Sequence, residues 1–114
     1  MAKLIDNVEH STPFVLLELV TYQPGKVSSR TLAKQPGVNM TVMAFTAGEG
    51  VSTHSAPGDA MAYILEGEAE ITIADKVYAA KAGQALVMPS GIPHSVKALS
   101  DFKMLLVVVK ETEK

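Results

Sequence analysis

Apolar residues in this chain fall in short runs separated by turn signals, not at helical spacing. Pro24-Gly25, Pro36-Gly37, Gly48-Glu49-Gly50, Pro57-Gly58-Asp59, Glu66-Gly67-Glu68, Ala74-Asp75-Lys76, Ala82-Gly83 and Pro89-Ser90-Gly91 break it at nearly regular intervals. Runs cut by turns roughly every 8–12 residues are the pattern of an all-β sandwich or barrel. Strands are predicted near 14–20, 26–34, 39–46, 51–56, 60–66, 68–74, 76–81, 85–88, 92–98 and 102–110. Thirteen Val, five Ile and eight Thr supply the branched side chains that suit a pleated, half-buried surface. Only the opening dozen residues leave room for an independent amphipathic helix.

Two of the runs are apolar on both faces. Ala60-Met61-Ala62-Tyr63-Ile64-Leu65 and Met104-Leu105-Leu106-Val107-Val108-Val109 have hydrophobic residues in both alternating sets. An antiparallel strand with one wet face alternates apolar and polar, so these strands need cover on the outside as well as the inside. The N-terminal segment or a second subunit could supply it. Met61, Tyr63, Leu65 and one face of the 104–109 strand therefore predict a homodimer.

Composition narrows the picture. With 114 residues, 47% of them hydrophobic and 19% charged, the chain suits one domain (1–114, with 1–13 as an N-terminal arm) and can bury a core of its own. The lack of cysteine removes disulfides, thiol nucleophiles and cysteine-ligated metal centres. A net charge of −2 with scattered basic residues argues against a nucleic-acid surface. The run from Pro13 to Val20 is short and carries Glu18, so it reads as neither a signal core nor a membrane span, and a soluble cytoplasmic domain is expected. No Gly-x-Ser-x-Gly elbow, Gly-x-Gly-x-x-Gly turn or phosphate-binding loop is present.

Three histidines remain as candidate chemistry. His10 sits in a polar N-terminal stretch. His54 follows Gly48-Glu49-Gly50-Val51-Ser52-Thr53, and His94 ends Gly83-Gln84-Ala85-Leu86-Val87-Met88-Pro89-Ser90-Gly91-Ile92-Pro93. These two blocks resemble the paired motifs of the cupin superfamily of double-stranded β-helix, or jelly-roll, barrels. Gly48, His54 and Gly67 stand at first-motif positions; Gly83, Pro89, Gly91 and His94 stand at second-motif positions. The resemblance implies an all-β cupin-like barrel whose site faces inward from both motifs.

The departures bear on function. The family's second histidine is replaced by Ala56, its metal-binding glutamate by Ala60 and its closing asparagine by Ala98. Residues two apart on a strand share a face, which is why a His-x-His pair can grip one ion. With His54 and His94 alone, the ligand set falls short of the usual three or four. Asp59 should face away by strand period, unless the Pro57-Gly58 turn bulges and completes a two-histidine, one-carboxylate triad. No cofactor is certain; a weakly held divalent metal (Ni, Fe, Mn or Zn) is the candidate.

Methyl groups in place of ligands leave space beside the histidines. The expected reading is a small-molecule pocket in the barrel, lined by His54, His94, Ala56, Ala60, Ala62 and Ile64, unless methionines fill the void. Arg30, the lone arginine, could clamp a carboxylate if it reaches the barrel mouth; a surface position is the plainer reading. The alternative is a metal-dependent cupin enzyme (dioxygenase, isomerase, decarboxylase or lyase) acting on a small acid or sugar through His54 and His94.

Overall fold

In a computed structural model that describes residues 3–112, nine strands form between the turns. They are β1 (Val27–Lys34), β2 (Val38–Phe45), β3 (Gly50–His54), β4 (Asp59–Glu66), β5 (Glu68–Ile73), β6 (Lys76–Lys81), β7 (Ala85–Met88), β8 (His94–Ala98) and β9 (Phe102–Val109). All pair antiparallel, in one sheet of order β1-β2-β9-β4-β7 and another of order β3-β8-β5-β6. Two such sheets facing each other bury one side of each, which is the jelly-roll arrangement. Among the described residues no helix is long and apolar enough to cross a membrane.

The run near 14–20 departs from expectation. Instead of a strand it makes a single 3-10 turn, Leu16–Leu19, closed by the Glu18 N–H donating to the Val15 carbonyl at 3.0 Å. The described part of the opening segment is not helical either. It runs along β1, with the Asp6 N–H donating to the Leu32 carbonyl at 2.7 Å and the Asn7 side-chain amide to the Thr31 carbonyl at 2.6 Å. These apolar residues serve as cover and not as a strand. Leu16, Leu19, Val20 and Tyr22 pack with Leu32, Val42, Ala44, Leu65 and Leu105 in a second cluster on the outer side of the larger sheet.

Polar contacts pin this strap. The Lys103 ammonium donates to the Leu17 carbonyl at 2.6 Å and lies 5.0 Å from the centre of the Tyr22 ring. The Tyr22 hydroxyl donates to Glu66 Oε2 at 2.6 Å. Burial, and then the bond to Glu66, holds that phenol well above its ordinary range, so it is a fixed donor at neutral pH. The strap covers only part of the outer face. Met61, Tyr63, Val87 and Val109, towards the β4–β7 edge, stay 38%, 37%, 49% and 57% exposed.

The inner face is built in rungs by strand pairing. At one end Phe45 and Phe102 pair, both fully buried, with rings stacked at 4.5 Å. The next rung is Met43, Met104 and Ile64, followed by Thr41, Leu106, Ala62 and Leu86. The last is Asn39, Val108, Ala60 and Met88. Opposite them the smaller sheet offers Val51, Val96 and Ile71, then His54, His94 and Ile73. The barrel is thus shut by aromatic rings at one end, while alanine stands between β7 and β9 at the other. Gly67, at φ +79°, lets β4 pass tightly into β5; a Cβ there would collide with the Asp101 carbonyl.

Candidate functional site

His54 points inward because β3 carries an extra residue. Val51 pairs with Val96 and His54 with His94, so three steps on β3 match two on β8. On a regular strand residues an odd number apart face opposite ways, and His54 would be turned away from Val51's side. The bulge absorbs one residue and brings the imidazole back into the barrel. The two rings meet edge to face, with centres 4.5 Å apart. His94 is buried, at 7% exposure, and His54 stands at the rim.

Each ring is oriented by its own backbone. His54 Nδ1 donates to the Ser52 carbonyl at 2.9 Å, and His94 Nδ1 to the Ile92 carbonyl at 3.1 Å. A carbonyl oxygen can only accept, so in the neutral ring the proton sits on Nδ1 and Nε2 carries a free lone pair. Both imidazoles are therefore held as acceptors, or as ligands, through Nε2.

They border a cavity of about 200 Å³. Ala56, Gly58 and Ala60 form one side of its mouth; Met88, Leu106 and Val108 continue the wall across the larger sheet, and Met43, Met104, Val51 and Val96 lie deeper. Among the described residues the histidines are its only hydrogen-bonding side chains, and no charged one lines it. The four sequence-predicted residues His54, His94, Ala56 and Ala60 all border this space. Ala62 and Ile64 do not. They share the face but are fully buried in packed core, and the cavity is reached instead by their rung partners Leu106 and Met104 on β9. The sequence predicts Met or Val from facing strands in the wall without saying which; the structure supplies Met43, Met88 and Met104 with Val51, Val96 and Val108. Met88 is set beside Ala60 by pairing between β4 and β7, which no local pattern reveals.

The other candidate groups lie elsewhere. Asp59 follows strand parity: its Oδ1 accepts the Ser90 N–H at 2.9 Å, and it borders a separate depression with Pro57, Lys110 and Glu111. The Pro57-Gly58 turn does not re-aim it, so the two-histidine, one-carboxylate triad is not assembled. His10 Nε2 donates to the Ile5 carbonyl at 2.6 Å within the N-terminal segment. Arg30 is exposed and donates to the Asn7 carbonyl at 3.2 Å, away from the barrel mouth.

These donors do not fit an enclosed divalent ion. Such sites use three or four protein ligands, and two imidazoles flanked by the methyl groups of Ala56 and Ala60 leave the rest to water. No group of three or more His, Cys, Asp or Glu is gathered anywhere among the described residues.

Comparison with known proteins agrees with the geometry. A family model described as a cupin domain matches residues 41–110, a span that includes both histidine blocks. A conserved protein of unknown function from Streptococcus pyogenes is 42% identical, with 98% of each chain covered and a TM-score of 0.95. A cupin superfamily protein from Desulfitobacterium hafniense is 29% identical over 94% of this chain and 98% of its own, at a TM-score of 0.89. A cupin 2 conserved barrel domain protein from Leptotrichia buccalis is 43% identical over 85% of this chain, which spans about half (47%) of that one, at a TM-score of 0.83. No curated protein matches. With the motif residues, the jelly-roll sheets and the family model in agreement, this chain belongs to the cupin superfamily, as one of its small barrels.

Proposed function

We propose that this barrel binds a small molecule in the cavity beside His54 and His94, at a site that has given up the family's enclosed metal. The observation that carries this reading is an open volume of about 200 Å³ with apolar walls and just two convergent polar groups. A packed core leaves no void of that size without cost, and apolar concavities with a few placed polar atoms are the usual form of a ligand site. The competing metal-enzyme reading needs a further ligand, and neither Asp59 nor His10 supplies one, since each is engaged elsewhere. Any divalent ion here is held weakly, by two imidazoles and exchanging water.

We also infer a homodimer formed through the uncovered part of the outer face. Met61, Tyr63, Val87 and Val109 lie beyond the strap, and Val107 pairs between Met61 on one side and Met40 on the other. A second copy seated there would remove these side chains from water, on an interface of about 800 Å² per partner.

Three outcomes are expected. Ala60→Leu fills the mouth of the cavity: it should abolish ligand binding while raising stability by about 1 kcal/mol, read as an upward shift in Tm. A variant that loses stability and still binds would place the ligand elsewhere. Restoring the family's residues with Ala56→His and Ala60→Glu should create a tight site, so that Ni²⁺, Co²⁺ or Zn²⁺ raises the Tm of the double variant far more than that of the wild type. One metal per wild-type chain, retained through dialysis against a chelator, would revive the enzyme reading. In sedimentation at micromolar concentration the protein should run at twice its 12.1 kDa chain mass, and Met61→Asp should return it to a monomer; a wild type that sediments as a monomer contradicts the interface.

A further inference from the structure

The chemistry of the cavity narrows what it can hold. Among the described residues no lysine or arginine lines it, so a carboxylate or phosphate entering would lose its water without gaining a counter-charge. A sugar would fare no better, because most of its hydroxyls would face Met, Val, Leu and Ala and be stranded without partners. The polar atoms offered are acceptors. His54 and His94 spend their Nδ1 protons on the Ser52 and Ile92 carbonyls, which leaves two Nε2 lone pairs on rings 4.5 Å apart. Asn39, which pairs with the wall residue Val108, keeps its Oδ1 buried without a partner but does not border the cavity. Among the described residues, the polar side chains lining the cavity thus offer it acceptors and no free N–H or O–H donor.

Size sets a second limit. An apolar cavity of about 150 Å³ admits benzene, and this one measures about 200 Å³. One ring with a small substituent, or a branched chain of similar bulk, fills it. Met43, Met88 and Met104 give the walls unbranched, polarisable side chains that adjust to such a body.

We propose that the cavity takes a compact, uncharged molecule with an apolar body and a single donor group, a phenol or alcohol, whose O–H donates to Nε2 of His94 while the body lies against the three methionines. His94 is the better anchor because it is buried, and a hydrogen bond there is shielded from water. His54, at the rim, takes a second donor or bounds the entrance. The assignment rests on the small-molecule reading above and specifies its ligand as a neutral hydrogen-bond donor, not an acid or a sugar.

The test uses protein labelled with ¹³C at its methionine methyl groups, titrated to millimolar with phenol, anisole and benzoate. These probes share a ring and differ in carrying a donor, an acceptor only, or a charge. The methyls of Met43, Met88 and Met104 report on the cavity; Met40 and Met61, on the outer face, serve as controls. Phenol should shift the cavity methyls alone, with a Kd about tenfold below that of anisole, the size of one net hydrogen bond, and further below that of benzoate. His94→Leu should bring phenol down to the affinity of anisole and leave anisole unchanged, with the anisole response showing that the cavity is intact. Should that variant fail to fold, the wild-type ranking of the three probes decides the matter by itself, and His54→Leu should weaken phenol less. Anisole or benzoate binding as tightly as phenol would overturn the donor assignment and leave the binding reading standing. If none of the three probes moves the cavity methyls, the binding reading itself falls.

Discussion

One surplus residue between Val51 and His54 decides which way a histidine faces, and the chemistry of the barrel depends on it. A strand has a period of two, so a slip of one residue exchanges inside for outside. With three steps on β3 set against two on β8, Val51 and His54 both turn inward, and the rim histidine meets its buried partner edge to face. The backbone then completes the arrangement. Each Nδ1 finds a carbonyl two residues earlier in its own chain, which fixes ring orientation and protonation together. The same orientation would present either ring's Nε2 to a ligand or an ion, and here Ala56 and Ala60 stand beside the pair.

The size of side chains along the barrel explains why a cavity opens at this end. Stacked Phe45 and Phe102 fill the far end, and each rung towards the histidines changes what is available to occupy the space. At the last rung Ala60 stands between Met88 and Val108, and Ala56 lies close by at the rim. A carboxylate and a second imidazole at those positions would have filled the volume and made it polar. Methyl groups do neither. The result is a space whose walls are apolar and whose few polar atoms accept hydrogen bonds. On the other side of the larger sheet, the strap held by Tyr22, Glu66 and Lys103 keeps the strands that carry these rungs covered over part of their outer face.

Much of this was legible in the sequence because turn chemistry is local. The glycine and proline pairs placed β1 to β9 within about two residues of their observed limits, and the same residues carried the family resemblance that fixed the jelly-roll fold. Strand parity also foretold that Asp59 would face away from the histidines. The failures have a common cause, since they concern relations between distant segments. The run near 14–20 has strand-like residues, yet it lies over an outer sheet face as cover and turns at Leu16–Leu19. Periodicity put Ala62 and Ile64 on the correct face but could not show that both are packed over while their partners on β9, Leu106 and Met104, reach the cavity. Met88 became a wall residue through cross-strand register, and the bulge that turns His54 inward leaves no mark in the local pattern of Val51-Ser52-Thr53-His54.

The claim on which the rest depends is that both imidazoles present a bare Nε2 to the barrel. Long-range ¹H–¹⁵N correlation spectra of the histidine rings, recorded above the ordinary titration range of histidine, test it without any ligand. The account predicts that His54 and His94 are both Nδ1–H tautomers, each with an Nε2 shift typical of a free lone pair. Nε2–H tautomers would contradict it, because the rings would then offer donors to the cavity and the backbone carbonyls of Ser52 and Ile92 would lose the protons that orient them.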